Sequence, residues 1–208
     1  MHPSIDGDLF LQVFVTIIVI MDPLGSTPVF LSLTAGYTAR ERRAAALQAV
    51  GLAAAVILAF ALFGEGLLRV LGISLPSLQV AGGLLLVLVA LELLNPRADA
   101  GLLDATDRRN VALVPLGTPL LAGPGAIATT MVYMRQADGA WDGVTVVLGL
   151  LGALVVVYAA LRFAGVLTRA LRENGVHVLS RIVGLLLAAI AVQLVAEGIQ
   201  EWVRHGVR

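Results

Sequence analysis

The sequence predicts an all-α membrane protein with six transmembrane helices, arranged as a three-plus-three inverted repeat in which the first and fourth spans are broken. Composition is the first reason: 59% of the 208 residues are hydrophobic and 13% are charged, with a mean hydropathy of +0.94. An average soluble domain carries about 25% charged residues. The second reason is the number of long apolar segments, and the third is a proline–glycine motif that occurs twice.

Six apolar segments have about the 20 residues that cross a hydrocarbon core of ~30 Å. They cover residues 9–34, 44–63, 75–94, 111–134, 144–161 and 178–199. The charged stretch 95–110 is the predicted linker, so residues 1–208 form a single transmembrane domain with one repeat at 1–100 and a second at 101–208. Apolar residues at helical spacing over 162–174, interrupted by arginines, predict an amphipathic extension of the fifth helix that ends at Gly175.

The first and fourth segments are interrupted in their middle. Residues 21–28 read MDPLGSTP, and residues 114–125 read VPLGTPLLAGPG. Proline lacks the N–H that a helix needs and glycine lowers helix propensity, so each span is predicted to be two half-helices joined by irregular backbone. Within a bilayer such backbone is tolerated only where it is buried in protein or lines a polar cavity. Paired broken spans in two halves therefore point to a transporter binding site.

The two halves also match outside the broken spans. Residues 78–86, LQVAGGLLL, align with residues 179–187, LSRIVGLLL, at an offset of 101 (179 − 78), and Pro23 aligns with Pro115 at an offset of 92 (115 − 23). An odd number of spans per repeat places the two copies in opposite orientation. We therefore expect an in-plane pseudo-two-fold axis, with Gly82, Gly83 and Gly184 serving helix packing.

Arginine placement predicts the orientation. Nine arginines lie in the loops after the first, third and fifth spans and four lie on the opposite side. Cytoplasmic loops are enriched in Arg and Lys, so both termini are expected on the outer side. The nine are Arg40, Arg42, Arg43, Arg97, Arg108, Arg109, Arg162, Arg169 and Arg172, and the four are Arg69, Arg135, Arg204 and Arg208.

The candidate binding residues lie at the breaks and on the facing helices. Half-helix N-termini offer N–H groups and a positive dipole end to a carboxylate, while exposed carbonyls suit an ammonium group or a coupling ion. A zwitterionic amino acid fits both. The candidate substrate-binding residues are Asp22, Pro23, Gly25, Ser26, Thr27, Thr118, Pro119, Gly123, Pro124, Gly125, Thr129 and Gln193.

Asp22 has two readings that do not exclude each other. An acid in the bilayer costs at least roughly 2.5–3.5 kcal/mol on insertion scales, which indicates a functional or cation-coupling role. Asp followed by proline is also a good N-cap and N1 pair for the second half-helix. Glu92 is either a second ion-coupling candidate or an interfacial acid. Thr129 and Thr130 are expected to bond the preceding turn of their own helix, and Glu197 and Glu201 to be solvated.

Other classes of function find no support in the sequence. Catalytic and phosphate-binding motifs are absent, so no enzyme is expected, and no cofactor or metal site is predicted from the three histidines. The formal charge is zero, and the sequence contains no cluster of basic residues, so we expect no nucleic-acid partner. The coupling ion, H⁺ or Na⁺, and homo-oligomerisation are left open. The expected partners are the lipid bilayer and a small-molecule substrate.

The runs at 21–30, 72–83 and 115–127 resemble the MarC family, and the likeness extends over essentially the whole chain. The resemblance implies a six-span protein of the bacterial inner membrane. Some relatives are described as transporters of small neutral amino acids such as glycine and alanine. It therefore implies a secondary transporter of such amino acids that works by alternating access. Export of drugs or other metabolites, and a channel or non-transporting scaffold, are the alternatives.

Overall fold

The computed structural model describes residues 6–34, 36–94 and 121–205, and every regular element in these ranges is helical. For residues 28, 32, 92, 168–174, 176, 177 and 179 it describes the backbone alone. The helices are α1 (Gly7–Met21), α2 (Pro23–Leu33), α3 (Ala39–Leu71), α4 (Leu75–Leu94), α5 (Pro124–Gln136), α6 (Ala140–Arg162) and α7 (Ala164–His205).

The helices confirm an all-α membrane protein. Three of them contain stretches long and apolar enough to cross a bilayer, namely Ala39–Leu71, Ala140–Arg162 and Ser180–Arg204. The pair α1 and α2 passes the same test as one span bent by 41°, while α4 has a shorter apolar stretch, Leu75–Leu91. The described residues thus contain three or four spans of the six predicted, and residues 111–120 of the fourth predicted span lie outside them.

The first break is one residue long. Asp22 is the single non-helical residue, with φ 38° and ψ 70°, and the helix resumes at Pro23. The Asp22 N–H still donates to the Ile18 carbonyl and closes the last turn of α1, while the Asp22 side chain caps the start of α2. Because proline at the first helical position needs no N–H partner, the chain has no reason to stay unwound beyond one residue. The predicted pair of half-helices joined by irregular backbone is therefore confirmed for the first span, with a single residue as the joint.

The helix predicted as the second half of the fourth span begins at Pro124. Gly123, in extended conformation, precedes it without a side-chain cap, and its carbonyl accepts from the Ala126 N–H at 3.0 Å. Gly125 is thus in the first turn of α5 rather than in irregular backbone. The motif at 114–120 lies outside the described residues.

Residues 164–174 belong to the last helix, which corrects the predicted extension of the fifth. α6 ends at Arg162, Phe163 has φ −103° and ψ 18°, and α7 runs from Ala164 through Gly175 to His205. Glycine inside a helix costs about 1 kcal/mol relative to alanine, which a long packed helix tolerates. Gly175 therefore does not end a helix.

Glycines bring α4 and α7 into close antiparallel contact. A Cβ on Gly83 would meet the Ala191 carbonyl oxygen at 2.9 Å and also contact Leu194 and Val195. A Cβ on Gly184 would meet the Ala90 carbonyl oxygen at 3.3 Å and also contact Leu93 and Leu94. The predicted packing role of these glycines is confirmed.

The short helices α2 and α5 pack against the longer helices. α5 contacts α3 and α4, and α2 contacts α6 and α7. Gly149 of α6 lies against Val13 of α1, where a Cβ would come within 3.0 Å of the valine Cβ. Large apolar side chains on the outside remain exposed, among them Leu62, Leu88 and Val155. An apolar exterior of this kind suits contact with lipid.

Candidate functional site

A polar cavity of about 450 Å³ lies between α1, α5 and α7. Each helix lines it with polar residues spaced four apart, which places each pair on one helix face. Thr16 Oγ1 and Tyr133 Oη are 3.3 Å apart and join α1 to α5. The polar lining consists of Gln12 and Thr16 on α1, Thr129, Tyr133 and Gln136 on α5, and Gln193 and Glu197 on α7.

The lining extends towards the end of the bundle where α1 begins and α5 and α7 end, and Gln12, Gln136 and Gln193 within it are exposed. Thr129 precedes Gln136 by seven residues, which corresponds to ~10 Å along a helix that rises 1.5 Å per residue. Apolar residues Ile190 and Leu194 complete the wall. The polar surface therefore reaches from the helix ends into the apolar part of the bundle.

Glu197 is held by two amides from different helices. Its Oε1 accepts from Gln193 Nε2 at 2.6 Å, and its Oε2 accepts from Gln79 Nε2 at 3.2 Å. Gln79 is a buried residue of α4. Glu197 remains partly exposed, as expected, and the contact between α4 and α7 also places an amide donor beside it. Glu201, one turn further on, contacts Arg135 at 3.7 Å.

Thr129 and Thr130 differ in how their hydroxyl groups are satisfied. Thr130 Oγ1 donates to the Ala126 carbonyl at 2.7 Å, as expected. Thr129 is 4% exposed, and its Oγ1 is buried without a hydrogen-bond partner among the described residues, contrary to expectation. A buried polar group left unpaired costs about 1–3 kcal/mol. Thr129 thus lines the cavity, while its hydroxyl oxygen is unpaired and has almost no accessible surface.

The residues of the first break satisfy one another locally. Asp22, 8% exposed, accepts the Gly25 N–H at its Oδ1 at 3.0 Å, so the predicted cap is confirmed. Ser26 Oγ donates to the Met21 carbonyl at 3.2 Å, and Thr27 Oγ1 donates to the Pro23 carbonyl at 2.6 Å. A Cβ on Gly25 would clash with the Asp22 carboxylate, so any other residue there would force the capping side chain to move.

The structure brings together part of the predicted set. Thr129 and Gln193 line the cavity, whereas the first-break residues are not among its described lining. At the second break, a Cβ on Gly125 would meet the Leu86 side chain, and one on Gly82 would lie 3.3 Å from the Pro124 carbonyl oxygen. These two glycines serve close packing of α4 on α5. Thr118, Pro119 and the Glu92 side chain lie outside what the structure describes.

Five polar residues of the cavity were missed as site residues by sequence reasoning, namely Gln12, Thr16, Tyr133, Gln136 and Glu197. The signal was a polar pair at a spacing of four in each of three apolar spans. Glu197 and Gln136 also line a second cavity of about 280 Å³, which includes Arg135 and Arg204. In the described part of the chain, no cluster of three or more metal-binding side chains occurs.

Comparison with known proteins gives a consistent result. The model of the MarC family of integral membrane proteins matches residues 7–203. A UPF0056 membrane protein of Methanocaldococcus jannaschii is 40% identical over 200 residues, covering 94% of this chain and 98% of the relative. A UPF0056 membrane protein of Aquifex aeolicus is 36% identical over 208 residues, covering 96% of each chain. The UPF0056 inner membrane protein YhgN of Escherichia coli is 32% identical over 190 residues, covering 91% of this chain and 95% of the relative. No solved structure matches the chain.

Proposed function

Because the chain belongs to the MarC family of integral membrane proteins, we propose that it is a secondary transporter of small neutral amino acids that works by alternating access. The observation that carries this proposal is the cavity with polar lining between α1, α5 and α7 of an otherwise apolar helical bundle. Its volume of about 450 Å³ lies within the range of ligand sites, roughly 300–1,000 Å³. An alternating-access carrier requires a polar site between its helices that is accessible in at least one of its states.

The proposed architecture has six spans in two inverted repeats, at residues 1–100 and 101–208. Three features recur at an offset of 101: the start of α2 at Pro23 and of α5 at Pro124, the start of α3 at Ala39 and of α6 at Ala140, and the mutual glycine contacts of α4 and α7. The partners of Gly83, residues 191, 194 and 195, follow those of Gly184, residues 90, 93 and 94, by the same interval. These features support an alignment of Pro23 with Pro124 in place of Pro115.

In the proposed mechanism the two halves rock about their shared axis and expose the cavity to each side in turn. The proposed substrate is a zwitterion such as glycine or alanine. Its proposed pathway runs from the cavity towards the two predicted breaks, at residues 22–27 and 118–125. Asp22 is the charged member of the buried set among the described residues. It is therefore the proposed coupling site for H⁺ or Na⁺, with Glu92 as the second candidate.

Counterflow tests transport directly. Purified protein in liposomes loaded with unlabelled alanine is expected to accumulate labelled external alanine transiently, because a carrier exchanges one molecule for another. Empty liposomes and a panel of larger amino acids serve as controls. A channel would equilibrate the label without overshoot, and a scaffold would take up none. Either result would reject the carrier.

The proposed location is the inner membrane, with both termini outside, and impermeant thiol reagents test the orientation. The chain has no cysteine of its own, so single cysteines report cleanly. Cysteine at the exposed position Asp138 is expected to react from outside in intact cells, and cysteine at the exposed position Arg43 only after lysis. The reverse labelling pattern would overturn the orientation.

A further inference from the structure

We infer that the cavity between α1, α5 and α7 binds the ammonium group of a small amine or amino acid, with the Glu197 carboxylate as its anionic ligand. The inference rests on the proposed transport of amino acids and assigns residues to one end of that substrate. Glu197 is the charged residue in the described lining of this cavity, which contains no arginine, lysine or histidine. A cavity whose charged lining is a single carboxylate favours a cation.

The carboxylate is oriented but not saturated. Gln193 of α7 and Gln79 of α4 each donate one N–H, one to each carboxylate oxygen. A carboxylate offers about four lone-pair sites, so acceptor positions remain for a further donor. Because the two amides come from different helices, they fix the plane of the carboxylate before any ligand arrives. An oriented acceptor with free capacity is suited to an ammonium group, which has three N–H donors.

Thr129 is a second and independent indication of a ligand. Its buried hydroxyl has no partner among the described residues, although it belongs to the lining of the same cavity. Thr130, its neighbour, satisfies the same kind of group within its own helix. A hydroxyl accepts as well as donates. Thr129 Oγ1 has almost no accessible surface as it stands, so a rotation about χ1, for which threonine in a helix has two rotamers, must bring it to the cavity before it accepts an ammonium N–H. The Thr16 and Tyr133 pair supplies further oxygen atoms nearby.

Glu197 also lines the second cavity, whose lining includes arginines. The second cavity contains Arg135 and Arg204 as well as Glu201, and its ion pair between Arg135 and Glu201 spans 3.7 Å. Arginines would suit the carboxylate end of an amino acid. The ammonium end therefore belongs in the arginine-free cavity, and analogues that carry one end each can distinguish the two sites.

Equilibrium binding of labelled alanine to the purified full-length protein in detergent tests the site. Ethylamine, which lacks the carboxylate, is expected to compete, and propionate, which lacks the ammonium group, is not. Glu197→Gln is expected to weaken alanine binding at least about tenfold, since it removes the charge and keeps the shape. Glu65→Gln, at an exposed acid of α3, is the control and is expected to bind normally.

The threonine pair gives a matched test that is independent of Glu197. Thr129→Val is expected to fold as well as the wild type, because no hydrogen bond is lost, and to bind alanine several-fold more weakly. Thr130→Val loses its bond to Ala126 and is expected to keep alanine affinity. Wild-type affinity in both Glu197→Gln and Thr129→Val would overturn the site.

The binding assay also separates this inference from the transport proposal. Binding of alanine without counterflow would remove the carrier and leave the ammonium site. Counterflow that is unaffected by Glu197→Gln would remove the site and leave the carrier. Competition by propionate without competition by ethylamine, or no binding of any of the three compounds, would also overturn the inference.

Discussion

Gly83→Ala is expected to lower the free energy of unfolding by about 1–3 kcal/mol, the usual cost of inserting a methyl group into a packed interface. The new Cβ would lie 2.9 Å from the Ala191 carbonyl oxygen and 2.8 Å from Val195 Cγ2. Backbone cannot rotate away as a side chain can, so α4 and α7 must separate slightly along their contact. Thermal and denaturant unfolding of the purified protein in detergent measure the loss.

Two further alanine variants make the comparison specific. Gly184→Ala is expected to cost a similar amount, since its Cβ would meet the corresponding residues of α4. Gly51→Ala in α3 would meet nothing within 4 Å and is expected to stabilise by roughly 0.5–1 kcal/mol, because alanine loses less backbone entropy. If Gly83→Ala behaved like Gly51→Ala, the close packing of α4 on α7 would be wrong, and the pseudo-two-fold contact would lose its support.

Much of the fold could be predicted because the determining signals are local. The predicted third span, 75–94, coincides with α4, and the glycine pattern that aligned it with the last span marks the contact between α4 and α7. Asp22 was predicted as the cap and Pro23 as the first residue of the following helix, and both roles are confirmed. Signals of this kind depend on the residue and its immediate neighbours, not on the rest of the chain.

The errors arose where several local solutions were equivalent. The second half-helix begins at Pro124, although the Pro–Leu–Gly motif at 115–117 looks more like the first break. The cavity escaped notice because its polar residues are distributed over α1, α5 and α7, and only tertiary packing brings them together. Glu197 illustrates the point: its donor Gln79 is distant in sequence and reaches it across a helix interface.

Asp22 is expected to separate stability from transport when three substitutions are compared. Asp22→Asn keeps a side chain that caps the Gly25 N–H and tolerates positive φ, so its free energy of unfolding should stay near that of the wild type. Asp22→Gly keeps the backbone conformation and should lose only a few tenths of a kcal/mol. Asp22→Ala loses the cap and carries a Cβ at φ 38°, and together these cost about 2–3 kcal/mol.

Uptake by the same variants then reports on the charge. If the buried carboxylate couples transport to H⁺ or Na⁺, Asp22→Asn should abolish uptake driven by an ion gradient while remaining folded, since asparagine caps the helix but carries no negative charge. A purely structural Asp22 would instead leave uptake by the Asn variant normal and make activity follow stability, with the Ala variant lowest. Measurement of uptake and unfolding on the same preparations decides between the two. Normal uptake by Asp22→Asn would remove Asp22 from the transport mechanism and leave it as the residue that joins α1 to α2.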